Sequence, residues 1–143
     1  MKPFHIMAAI CIAATPLYAE EVAKTYPFDG SFEDATFAVE SAIVGQGLVI
    51  DYVSHVGEML ERTGADVGSD VTLFAEADIF VFCSAVVSRR VMEADPMNIA
   101  HCPYGIFVAD QQGKVTIGHR TYPQGAMQDV QTLLEGLVAD ALN

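Results

Sequence analysis

The sequence predicts an α+β domain, a largely antiparallel sheet with helices packed on one face. Two observations carry this. Short runs rich in β-branched and aromatic residues alternate with apolar stripes at three- and four-residue spacing, in the order strand, helix, strand, short helix, strand, helix, hairpin, helix. Residues 20–143 are also enough for one core but not comfortably for two.

The first strand is expected over Val22–Phe28 and ends at Asp29-Gly30. Ser31 then caps a helix whose stripe is Phe32, Ala35, Val39, Ala42 and Ile43. Glu33 and Asp34 in its first turn suit the helix dipole, and Gly45 and Gly47 supply its stop. Leu48–Val56 alternates as a strand, with Leu48, Ile50, Tyr52 and Val56 on one side and Asp51, Val53 and His55 on the other. Glu58–Thr63 reads as a short helix closed by Gly64, and a polar connection follows around Gly68-Ser69-Asp70.

Asp78–Cys83 is the most hydrophobic strand and is expected at the centre of the sheet, delivering Cys83 to its end. Ser84 caps a helix over Ala85–Ala94, and Asp95-Pro96 halts it because the residue before proline avoids the helical region. Tyr104–Ala109 and Lys114–Tyr122 flank Asp110-Gln111-Gln112-Gly113 as a hairpin. An amphipathic helix over Met127–Leu142 closes the chain through Val130, Leu133, Leu134, Leu137, Val138 and Ala141.

Residues 1–19 read as a secretory signal peptide. Lys2 precedes the apolar run Ile6–Ala14, which is too short to span a bilayer. Pro16 breaks that run, and Leu17-Tyr18-Ala19 offers a cleavage site. Cys11 leaves with this segment, and Ile10 stands where a lipid-attachment signal needs a small residue. Cleavage removes one of seven basic residues and none of nineteen acidic ones, for a mature formal charge of −13. Such a surface repels nucleic acid and anionic headgroups, and it attracts cations or a basic protein. No other segment is apolar enough to span a membrane, and the short signal segment makes the periplasm the expected location.

Cys83 and Cys102 are the cysteines left after export. In an oxidising compartment the simplest reading of such a pair is a disulfide. A second reading adds His101. Cys83 at a helix start would have its thiol pKa lowered by the dipole, and Cys83, His101 and Cys102 would form a soft site for copper or zinc, with Met92 or Met97 as a thioether ligand. In a third reading the pair exchanges with a partner's disulfide, although no compact Cys-x-x-Cys holds a resolving thiol beside an attacking one. His55, beside Asp51, and His119 are discounted for catalysis, and Arg89-Arg90 reads as a solvated pair or an anion contact. No nucleophile elbow, phosphate loop or dinucleotide fingerprint is present.

The strand ending in Cys83, the close at Glu93-Ala94-Asp95-Pro96, the Cys102-Pro103 entry into Gly105-Ile106-Phe107-Val108 and the Gly113-Lys114-Val115 hairpin together resemble the domain of unknown function 302 family. The resemblance covers roughly residues 28–122. It implies a small α+β domain compared with the TATA-binding-protein-like fold, and no general activity. Other members place the second cysteine after a proline, whereas here Cys102 precedes Pro103. The expectation is therefore an exported, non-catalytic domain that binds a small ligand, a basic protein or a second copy of itself. The alternative is a soft-metal or thiol redox protein.

Overall fold

Ser31 opens the first helix through a reciprocal cap. Its hydroxyl accepts from the Asp34 backbone N–H at 3.0 Å, while its own N–H donates to the Asp34 carboxylate at 3.2 Å. The helix, α1, runs Phe32–Gly45 and buries Phe32, Ala35, Val39 and Ile43, the stripe its spacing announces. It follows β1 (Ala23–Pro27) and precedes β2 (Val49–Ser54) and α2 (Val56–Thr63). Then come β3 (Glu76–Cys83), α3 (Ala85–Ala94), β4 (Tyr104–Gln111), β5 (Lys114–Arg120) and α4 (Gln128–Ala141). This is a computed structural model describing residues 21–143, so the leader expected over 1–19, with Cys11, lies outside the described residues.

All neighbouring strands pair antiparallel, in the order β1-β5-β4-β3-β2. The middle strand is β4, not β3 as its hydrophobicity suggested. With apolar residues on both faces, β3 is interior but one place from the edge. Phe80 lies opposite Ile106 and Phe82 opposite Tyr104, while Val108 lies opposite Ile117. These residues point to one side of the pleat, where α1 and α4 cover them with Val39, Ile43, Leu134 and Leu137. The hairpin between β4 and β5 turns on Gln112 and Gly113, both at positive φ (58° and 78°), and the Asp110 carboxylate accepts from the Gly113 N–H at 2.7 Å.

Three boundaries depart from the sequence reading. In β2 the pairing register shifts between Ile50 and Tyr52, so Asp51 is an extra residue on this edge strand. The bulge breaks the expected alternation. Ile50 and Val53 pack on the core while Tyr52 is 57% exposed. β2 then stops at Ser54, and the helix expected from Glu58 begins at Val56. Finally, a 3-10 segment over Pro96–His101 fills the gap before Cys102, with Asp95 both ending α3 and capping this segment through the Met97 N–H at 2.9 Å.

His119, discounted for catalysis on its sequence neighbours, is fully buried. Its Nδ1 lies 2.9 Å from the Arg120 carbonyl, its ring stacks on Tyr26, and its Nε2 has no hydrogen-bond partner among the described residues. The β4–β5 register requires this, since His119 lies opposite Ile106 on the core side. Burial holds its pKa below the ordinary 6.5. Nearby, Lys24 pairs with Glu135, and Gln131 donates to Glu135 at 2.9 Å.

Three predictions follow from this packing. A Cβ on Gly57 would stand 2.5 Å from the Ala77 backbone N, so Gly57→Ala should destabilise by about 1–3 kcal/mol. Gly136 in α4 meets nothing within 4 Å, so Gly136→Ala should stabilise by roughly 0.5–1 kcal/mol in denaturant melts. Below pH 6.5 the unfolded chain protonates position 119 while the folded chain resists, so the unfolded state binds more protons and stability falls as pH drops. Chemical denaturation from pH 7 to pH 5 should show this slope, and His119→Phe should flatten it.

Candidate functional site

The pairing of Phe82 with Tyr104 aligns the last residue of β3 with the chain just entering β4. Cys83 ends β3, and Ser84 immediately caps α3 through the Val87 N–H at 3.3 Å. From the other side, the 3-10 segment delivers Cys102, whose N–H donates to the Ile99 carbonyl at 3.1 Å. The two Sγ atoms lie 2.8 Å apart. That is longer than the roughly 2.05 Å of a disulfide and short for two unbonded sulfurs, so the structure holds two adjoining thiols, both half-buried.

The expected lowering of the Cys83 pKa does not occur. Burial, then the Cys102 thiol beside it, push Cys83 up from 9.0 to about 11, and a hydrogen bond from the Tyr104 backbone only partly offsets them. Loss of hydration outweighs the cap of a short helix.

His101 does not join the sulfurs as a third ligand. Its ring meets the edge of Tyr122 at 5.9 Å. Among the described residues no group of three or more His, Cys, Asp or Glu is placed to hold a metal ion. Met92 packs against the core and Met97 is 70% exposed. His55 pairs with Asp78 at 2.8 Å, a carboxylate from β3 and not its sequence neighbour Asp51, and this raises its pKa. Arg89 and Arg90 are taken up by Glu93 and Asp129, at 2.7 and 2.8 Å.

Sequence reasoning missed the aromatic surroundings of the thiols. Tyr104 and Tyr122 meet edge to face at 6.2 Å, and the Tyr104 hydroxyl lies 3.0 Å from Ser88 Oγ. The Tyr122 hydroxyl is buried without a hydrogen-bond partner among the described residues, and burial pushes it up to about 12. Beside this pair, on the sheet face away from α1 and α4, lies a groove of about 560 Å³ lined by Ile79, Gly105, Phe107, His101, Tyr122 and Arg120. Glycine within two strand runs was the available signal. Gly105 leaves the groove floor open, and Gly118 leaves room for the Phe107 ring, whose Cζ would stand 2.4 Å from a Cβ there. The pairing that decides which face each glycine takes is long-range.

Fold and site define a small α+β domain with a five-stranded antiparallel sheet, a thiol pair at one end and an open groove beside it. The family described as "Domain of unknown function DUF302" matches residues 22–140, and the chain belongs to that family. Among solved structures it is similar to one titled an uncharacterized conserved protein DUF302 from Bacillus stearothermophilus. The TM-score is 0.69 at 15% identity, covering 85% of this chain and 98% of that one, a likeness of fold. No curated protein matches this chain. Among the described residues no helix is long and apolar enough to cross a membrane.

In the reduced protein, alkylation of Cys83 should be slow at neutral pH. A pKa of about 11 against 9.0 leaves about 100-fold less thiolate than an ordinary thiol. Peptide mapping after iodoacetamide pulses should show its labelling rate still climbing above pH 10, and a plateau by pH 9 would contradict the burial argument.

Proposed function

We infer that this chain is a small exported binding domain without catalytic machinery, in which Cys83 and Cys102 are joined as a disulfide that steadies one wall of the groove. The observation carrying this reading is the 2.8 Å approach of the two sulfurs. Bond formation sends two protons and two electrons from the thiols to a disulfide-bearing oxidant, the kind an oxidising compartment supplies. The bridge ties the end of β3 to the segment carrying His101, a groove-lining residue. It also restricts the unfolded chain by roughly 3 kcal/mol.

The reading includes cleavage after Ala19, release into the periplasm and a sheet of the TATA-binding-protein-like type. The acidic surface favours a basic protein partner over nucleic acid, and a small ligand or a second copy of the chain are the other occupants this reading admits. Partial exposure of both cysteines favours a second reading. In it the dithiol passes two electrons to a partner's disulfide and itself becomes the bridge, or its thiolates hold copper or zinc, with His101 as a third donor after rearrangement.

Intact mass of protein taken from its own compartment should fall two hydrogens below the reduced value. Full labelling by a thiol reagent without reductant would overturn the bridge. Cys102→Ser should lower the unfolding free energy by roughly 3 kcal/mol, and a reduction potential below about −300 mV would assign the pair to structure and not to exchange.

A further inference from the structure

Three cationic side chains among the described residues, Arg62, Lys114 and Arg120, have no carboxylate within ion-pairing distance, whereas Lys24, Arg89 and Arg90 are paired. In a chain with nineteen acidic residues, an unpaired cation beside a cavity is a distinct feature. Arg120 is that residue. Strand alternation explains its place. His119 faces the core, so Arg120 turns to the opposite face, across from Ala23 of β1.

The groove under Arg120 is mostly apolar. Ile79, Phe107 and the bare backbone at Gly105 make its floor, and the Tyr122 and His101 rings make a side. Its volume of about 560 Å³ falls within the range of small-molecule sites. Glu21 stands at the rim but makes no ion pair with Arg120, and its carbonyl instead accepts from the Thr121 hydroxyl. The remaining carboxylates repel anions at long range, but their field is screened over about 8 Å at physiological salt, so the nearest charge governs the groove.

We propose that this groove binds a small organic carboxylate with an apolar or aromatic body, its carboxylate on Arg120 and its body along Ile79, Gly105 and Phe107. This rests on the reading of the chain as a binding domain and names the ligand class of its groove. The guanidinium offers a planar fork of donors suited to a carboxylate, and the floor removes apolar area from water without asking for further polar contacts. A neutral ligand of the same shape leaves Arg120 unmatched. A cationic one meets it as a like charge.

The test is an NMR titration of the full mature protein with 4-phenylbutanoate, its neutral amide and 4-phenylbutylamine. The acid should give saturable shifts at Gly105, Gly118 and Arg120. The amide should bind at least about tenfold more weakly, the size of one charge-assisted hydrogen bond. Arg120→Gln should weaken the acid by a similar factor, and Arg120→Lys should restore part of it. Glu21→Gln should leave the acid's affinity equal or tighter. Equal binding of acid and amide, tighter binding of the amine, or no saturable shift in this region at millimolar concentration would each overturn the proposal. Intact mass of the same sample separates the two claims. Bridged protein without acid preference defeats the ligand class alone, and acid binding by unbridged protein defeats the disulfide alone.

Discussion

The pairing of β3 with β4 is the constraint on which the rest of the molecule depends. With Phe82 set against Tyr104, the core side of the sheet receives Phe80, Phe82, Tyr104, Ile106 and Val108 as one surface, and α1 and α4 close over it. The same register leaves Ile79, Gly105 and Phe107 on the other face, where the groove lies. It also brings the exit of one strand beside the entry of the next, which is why two cysteines with a whole helix between them come into contact. A one-residue slip would exchange the two faces and separate the sulfurs.

Electrostatics at the two ends of the sheet have a common cause. Cys83, Tyr104 and Tyr122 are all held in their neutral forms by burial, and His119 likewise resists protonation. The region between the thiols and the core is therefore short of water. Cys83 in such surroundings is a poor source of thiolate, which fits a bridge that stays closed better than a nucleophile in constant use. The charged groups lie outside this zone. Arg89 and Arg90 are paired at the surface, and Arg120 stands on the open face.

Much of the fold was legible in local pattern. The cap at Ser31, the stripes of α1 and α4, the stop at Asp95-Pro96 and the turn between β4 and β5 are short-range matters of hydrogen bonding, dihedral preference and periodicity. The β2 bulge was not, because the extra residue at Asp51 is defined only against the register of β3. The partner of His55 was not legible for a related reason. Asp51 is near in sequence, but Asp78 on the adjoining strand is near in space. For the site, the two cysteines were readable as a pair, while the turning of His101 towards Tyr122 depended on where β5 delivers that ring.

The sequence alone therefore determined the type and order of the elements, the α+β class, the acidic character and the candidate pair Cys83 and Cys102, since each rests on spacing, composition or neighbours a few positions away. Tertiary structure decided which strand lies in the middle, which histidine is buried, how close the sulfurs come and that an open face with Arg120 exists at all. Those properties belong to pairs of residues distant along the chain. They come into being only when the strands choose a common register and α1 and α4 cover one side of it.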